Sequence, residues 1–237
     1  MCSPSLAEWD SLGLLRDRLA ELRTTGCNLK WLIVTESAPP PSEVANFAQF
    51  SWIEIIPRSP ESDSFGAALS LGINLARTRA PIVVTMDADG SHDPSDISRL
   101  VEAVSRGTVC AAVASRYIEG GSSANGIVLR AMSRTLNRLF SFSLGIDLRD
   151  ISNNFKCFRS EYLPSEDLMS ENFDAVEELL LEVYYSSGNL PIIEIPSRFH
   201  ERSHGVSKRR LGPFIVSYFW ALLRLKKQIE HKHGTLR

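Results

Sequence analysis

Apolar positions along this chain switch between two periods. Leu12, Leu15, Leu19 and Leu22 are spaced three, four and three residues apart, which puts them on one face of a helix that Gly26 can end. "WLIVT" (31–35) is a short apolar run with β-branched residues, stopped by "PPP" (39–41), and "WIEII" (52–56) reads as another strand. A small-residue helix follows over "FGAALSLGINLART" (65–78), then a strand at "IVVTM" (82–86). Asp93 and Pro94 read as an N-cap and first helical residue, opening a helix with Ile97, Leu100, Val101 and Val104 inward. "CAAVA" (110–114) is a further strand. Short runs that are apolar on both sides and alternate with helices predict an α/β fold: a mostly parallel central sheet with helices on both faces. In open sheets of this kind, ligands bind beyond the carboxyl ends of the strands.

Composition narrows the picture little. The 237 residues are enough for one large domain, and 43% apolar and 23% charged residues with net charge −2 give no case for nucleic-acid binding. Charge is unevenly placed, however. Lys208 to Arg237 carries eight Lys/Arg against one acid, Glu230, a net +7 that leaves −9 on the remainder. Such a tail is either a solvated surface or a contact for an anionic partner such as a membrane face. Cys2, Cys27, Cys110 and Cys157 lack CxxC spacing and read as reduced, largely buried thiols of a cytoplasmic protein. The N-terminal residues do not read as a signal peptide. The longest charge-free apolar run, Leu211 to Leu223, has 13 residues, short of the roughly 20 that span a bilayer.

The chemistry begins where "IVVTM" runs into two carboxylates one residue apart, Asp87 and Asp89. In such a turn the two side chains can converge on one point beyond the sheet, and their repulsion calls for a cation or a set of donors. Hard oxygen ligands select Mg²⁺ or Mn²⁺, and a cation held by only two carboxylates keeps positions open for phosphate oxygens. The plainer alternative is a loop with an Asx-turn and a helix cap. The spacing alone does not separate the two.

The surrounding motifs add weight. "VVTMDADGSHDP" (83–94), "ASRYIEGG" (114–121), "RAMSRTLNRLFSFSLG" (130–145), "RDISNNFKCFRSEYL" (149–163) and "ERSHGVSKRRL" (201–211) occur in that order. The succession resembles glycosyltransferase family 2, and within it the dolichyl-phosphate and polyprenyl-phosphate mannose synthase-like enzymes. The resemblance implies a GT-A fold and an inverting, metal-dependent transfer of a mannose- or glucose-type hexose from a nucleotide sugar, GDP-mannose or a UDP-hexose, to a polyprenyl phosphate. By the same resemblance, Asp87, Asp89 and Ser91 lie at the metal, and Pro4, Glu8, Glu36, Asp87, Ala88 and Asp89 line the sugar-nucleotide site. Arg116, Arg202 and Lys208 supply charge to the leaving diphosphate, and Arg130, Ser133, Arg134 and Ser207 hold the acceptor phosphate. Residues 1–211 then form the catalytic domain, and 212–237 an apolar helix and basic tail.

Two departures from the family pattern stand out. Only "MCS" precedes the turn that "PSLAE" (4–8) fills, so most of the first strand is expected to be missing, either because the start is placed too late or because the nucleotide pocket has lost a wall. The usual paired aspartates after the next strand are replaced by Thr35 and Glu36. These changes keep open a catalytically silent nucleotide-sugar-binding protein beside the enzyme readings. A hydroxyl acceptor on a small molecule, glycan or specialised metabolite is the other alternative. It needs a general base, and Asp150 is the only candidate near Asn153 and Asn154; a phosphate monoester, already largely dianionic at neutral pH, needs none. "LGPFIVSYFWALLRLKK" (211–227) is apolar nearly all round, suited either to peripheral contact with the cytoplasmic face of a membrane or to packing on the domain or another subunit.

Overall fold

The computed structural model describes residues 1–5, 8–35, 40–59, 64–201 and 211–233, the side chains of 211–219 and 233 excepted. The first half of the chain alternates strand and helix: β1 (Cys2–Ser5), α1 (Trp9–Thr24), β2 (Trp31–Thr35), α2 (Pro41–Ala48), β3 (Ile53–Pro57), α3 (Phe65–Arg77), β4 (Ile82–Thr85), α4 (Asp96–Ser105) and β5 (Ala111–Ser115). The second half adds β6 (Ser122–Ser123), α5 (Ile127–Leu144), β7 (Lys156–Arg159), α6 (Ala175–Ser186), β8 (Ile192–Pro196), β9 (Arg198–Phe199) and α7 (Leu211–His233). Seven strands form one sheet in the order β3-β2-β1-β4-β7-β5-β8, and β6 pairs with β9 apart from it. Every pairing in the large sheet is parallel except those of β7, which runs antiparallel to both β4 and β5.

The two faces of the sheet carry separate cores, as the period of two along a strand requires. Val83, Ala111 and Phe158 pack with side chains of α3, α5, α6 and α7, while Val84, Ala112 and Cys157 pack with α1, Phe47 of α2, and α4. The predicted α/β architecture is met. All four cysteines are free, and burial pushes the Cys2 and Cys157 thiols up to about 12, which leaves them neutral and unreactive.

Three expectations are corrected. First, β1 is short but present: its four residues are buried and pair with β2 along their whole length and with β4 at Cys2. The strand runs through Pro4 and Ser5, where a turn was expected. Cys2 O accepts from Met86 N, so alternation puts the donor that Pro4 lacks on the β4 side, and there the pairing stops. Second, α4 starts two residues late, with Ser95 at the N-cap position. Asp93 Oδ1 instead accepts from Ser95 N at 3.0 Å, a side-chain turn ahead of the helix. Third, α7 is not apolar all round where its side chains are described. Leu222, Leu225 and Ile229 are buried in the core, Arg224 pairs with Asp174, and Lys232 reaches Glu182 at 2.9 Å. This half of the helix packs on the domain, and no described helix is long and apolar enough to cross a membrane.

Close approach of α3 to the sheet rests on Gly72, where a Cβ would run into Cys2 Sγ of β1. Gly72→Ala is therefore expected to lower the unfolding free energy by about 1–3 kcal/mol through overpacking. Gly13, in α1, has open space at its Cβ position, so Gly13→Ala should raise it by about 0.5–1 kcal/mol. Urea denaturation of the two variants beside the parent checks both signs.

Candidate active site

The β4 strand ends in Met86, and the chain turns through Asp87, Ala88 and Asp89 to Gly90, whose φ of 77° is left-handed. Asp89 is buried and accepts from Ser91 N at 3.0 Å and Ser91 Oγ at 2.5 Å. The Asx-turn weighed as the alternative to a metal site is thus present, and it serves to aim the second carboxylate. Ser91 donates its hydroxyl to Asp89, so it positions that carboxylate; a ligand role was expected of it. The Asp87 side chain keeps 31% exposure at the carboxyl edge of the sheet. Its Oδ1 accepts from Asn154 Nδ2 at 2.8 Å, and its Oδ2 lies 3.3 Å from His92 Nε2. His92 is buried between the rings of Phe155 and Phe199, centroids 5.2 and 5.3 Å away, so it both packs and touches the first aspartate.

Among the described residues, no group of three or more His, Cys, Asp or Glu side chains could hold a metal ion. The donor set is therefore two hard carboxylates on one turn, one buried and fixed, the other open to solvent. Such a set fits Mg²⁺ or Mn²⁺ sharing its coordination with phosphate oxygens and water, and does not suit zinc.

Residues 149–156 tie this turn to the rest of the site. Asp150 is fully buried, and its carboxylate accepts from Arg116 Nε at 2.7 Å, Arg116 Nη2 at 2.6 Å and the Arg116 backbone N at 2.8 Å. The Arg116 side chain is 10% exposed and lies over the rings of Tyr117 and Phe199. Its charge is matched by Asp150, where the sequence suggested a guanidinium facing phosphate. Glu194 on β8 accepts from the backbone N–H groups of Arg149 and Asp150, and burial raises its carboxyl above the usual range. Ser152 N donates to Asn137 Oδ1 of α5 at 2.9 Å, and Asn153 Nδ2 to Ala114 O at 2.5 Å. Lys156 is completely buried and donates to Asn153 O. Burial holds its ammonium down at about 8, while Glu177, Asp150 and Asp87 pull the other way.

The remaining expected residues fall into three groups. Pro4 lies buried in β1, Ala88 is buried in the aspartate turn, and Glu8 stands at the N-cap position of α1, where its carbonyl accepts from Leu12 N. On α5, Arg130 is half-buried, Arg134 is exposed with its guanidinium 5.2 Å from the Tyr117 ring centroid, and Ser133 Oγ accepts from Asn137 Nδ2 at 3.3 Å. Glu36, Arg202, Ser207 and Lys208 lie outside the described residues. Sequence reasoning missed Asn137, Asn154, Lys156, Glu194 and also Arg58, which is buried beyond β3 and donates from N and Nε to Thr35 O. Only the "NNFK" cluster carried a signal, as polar residues inside an apolar run.

The family model for glycosyl transferase family 2 matches residues 5–165. The chain belongs to that family. It is similar to the polyprenol monophosphomannose synthase of Mycolicibacterium smegmatis, 35% identical over 146 residues, which are 60% of this chain and 55% of that protein. To the undecaprenyl-phosphate mannosyltransferase of Micrococcus luteus it is 29% identical over 213 residues, 85% of this chain and 82% of the relative. To the dolichol-phosphate mannosyltransferase of Pyrococcus furiosus it is 27% identical over 229 residues, and there it spans 94% of its own length but 62% of the relative's. Among solved structures, glucosyl-3-phosphoglycerate synthase of Mycobacterium tuberculosis, in complex with Mn²⁺, UDP and phosphoglyceric acid, superposes with a TM-score of 0.67 at 18% identity. That match covers 94% of this chain and 76% of the other, and it shows the GT-A fold.

Two outcomes follow for this family 2 chain. Removing one partner of a buried ion pair strands the other, so Asp150→Ala should cost about 3–5 kcal/mol of stability, read by denaturant unfolding. The second concerns Lys156. Folded, it releases its proton near pH 8, whereas the unfolded chain holds it to 10.5, so the unfolded state binds more protons between those values. Stability from this position therefore rises with pH across that window. Thermal melts in EDTA should show the difference between parent and Lys156→Met moving in the parent's favour from pH 8 to 10.5.

Proposed function

We propose that this protein is an inverting, metal-dependent glycosyltransferase moving a hexose from a nucleotide sugar, GDP-mannose or a UDP-hexose, to a polyprenyl phosphate. The observation that carries the acceptor half is the state of Asp150. It is the base candidate that the sequence offered for a hydroxyl acceptor, yet it is fully buried and bonded to Arg116. Transfer to a hydroxyl needs a base within reach of solvent-facing substrate; a phosphate dianion needs none. The names of the three relatives described above, each a polyprenyl-type phosphate mannosyltransferase, support the same reading.

In this mechanism an acceptor phosphate oxygen attacks the anomeric carbon. The bond from that carbon to the donor diphosphate breaks, and the electron pair leaves with the nucleoside diphosphate, inverting the centre. A divalent cation at Asp87 and Asp89 would supply positive charge against the diphosphate, as the Mn²⁺ and UDP bound to the glucosyl-3-phosphoglycerate synthase suggest. Ser91 aims Asp89, and His92 with Asn154 aims Asp87. Pro4, Glu8, Glu36 and Ala88 bound the sugar-nucleotide side. Arg130 and Arg134, with Ser133 and Ser207, take the acceptor phosphate. Arg202 and Lys208 complete the charge on the leaving group, while Arg116 acts through Asp150 as a positioning residue. The site works where nucleotide sugar meets a membrane-held acceptor, at the cytoplasmic face.

A panel of nucleotide sugars with Mn²⁺ or Mg²⁺ and a polyprenyl phosphate, with products identified by mass spectrometry, tests this directly. Asp89→Ala and Asp87→Ala should abolish transfer and divalent-dependent nucleotide binding; an Asp89→Ala variant fully active in EDTA would exclude the metal assignment. Arg130→Ala should raise the acceptor KM by roughly 10- to 100-fold with little change in the donor KM, as loss of a charge-assisted bond to phosphate implies. Transfer to hydroxyl acceptors alone would overturn the phosphate reading.

A further inference from the structure

The exposed apolar surface gathers on one helix. Ile127, Val128, Leu129, Leu139 and Phe142 of α5 are all large and exposed, Val128 at 74% and Phe142 at 89%. At 100° per residue, Val128, Leu139 and Phe142 project within a sector of about 60°, opposite the buried Asn137, Phe140 and Leu144. Alongside this stripe lies a pocket of about 410 Å³ lined by Tyr117, Arg134, Thr135, Arg138 and Arg149. None of these three arginines has an ion-pair partner among the described residues, and the buried Tyr117 hydroxyl has no hydrogen-bond partner among them either. The helix carries three arginines and no acid.

We propose that this face of α5 docks on an anionic lipid bilayer, with Val128, Leu139 and Phe142 entering the acyl boundary and Arg138, Arg149 and Tyr117 taking headgroup phosphates. Charge decides the occupant. A two-fold contact with a second copy would set the arginines of one α5 near those of the other, with no carboxylate on the helix to offset them. An anionic bilayer instead offers phosphates to the arginine row and hydrocarbon to the stripe beside it, the arrangement of an interfacial amphipathic helix. The inner side of α5 meets the active site through Asn137 and Ser152, so docking here brings the lipid surface to the acceptor side. The inference deepens the acceptor reading above and is tested apart from it.

The full chain is sedimented with phosphatidylcholine vesicles, with and without phosphatidylglycerol, alongside Phe142→Glu, Leu139→Glu and the double variant Arg138→Gln/Arg149→Gln. The parent should pellet with the phosphatidylglycerol vesicles and be released by salt. Neutralising each arginine should weaken binding about fivefold, and either glutamate should abolish it. Thermal melts should match the parent's, since these side chains are exposed, and transfer to a water-soluble, short-chain polyprenyl phosphate should persist in every variant. Absence of vesicle binding by the parent, or binding that survives all the variants, overturns the proposal. So does a parent dimer by light scattering that Phe142→Glu converts to monomer, which would make the face a contact between copies. A parent that binds vesicles through these residues yet transfers to no polyprenyl phosphate would sustain the surface and sink the acceptor reading.

Discussion

The carboxylate of Asp150 is the constraint on which the site depends. Sealed from water, it must have its charge compensated, and three N–H donors of Arg116 do so. That pairing fixes the end of β5, where Arg116 follows, against the segment leading into β7. The same segment carries Ser152 to α5, Asn153 to β5 and Asn154 to Asp87. Glu194 closes the other side by accepting both N–H groups at the start of the segment. The aspartate turn is therefore braced by a polar network whose members are buried or half-buried. Such networks are rigid when satisfied and costly when broken.

This arrangement separates charge for structure from charge for chemistry. Arg116 and Lys156 are cations near the aspartate turn, yet both face inward, one onto Asp150 and one onto Asn153 O. Asp87, by contrast, keeps its opening to solvent. The exposed guanidinium groups of Arg134 and Arg138 stand on α5, and that of Arg149 at the edge of the buried segment. Solvent-facing and fold-facing charges thus occupy different layers.

Much of the architecture was legible because the strands β2, β4 and β5 are short apolar runs and the helices α1 and α3 repeat at helical spacing. The place of Asp87 and Asp89 followed from the strand before them. What stayed hidden depended on neighbours distant in sequence. Pro4 suggests a turn, but pairing of β1 with β2 holds it in a strand. Asp93-Pro94 has the composition of a cap, but its side chain closes a turn one step earlier. "KCFR" reads as a continuation of a motif and gives no sign that it inserts antiparallel between β4 and β5. Arg116 looked like a phosphate ligand because nothing local reveals that its partner is 34 residues away. The C-terminal helix hid its buried stripe for the same reason, since Leu222, Leu225 and Ile229 meet residues contributed by earlier helices.

The insertion of β7 sets the order in which the site can come into being. Thr85 faces Lys156 across the sheet, and β7 separates β4 from β5, strands that precede it in the chain. During synthesis the first half of the sheet can assemble as it emerges, but a gap between β4 and β5 persists until the residues of β7 arrive. The aspartate turn, although completed early, has no Asn154 or Asp150 network to brace it before then. Contacts of such sequence separation carry a high loop-closure cost and form slowly. The nascent chain thus carries both aspartates well before it carries the network that holds them in place.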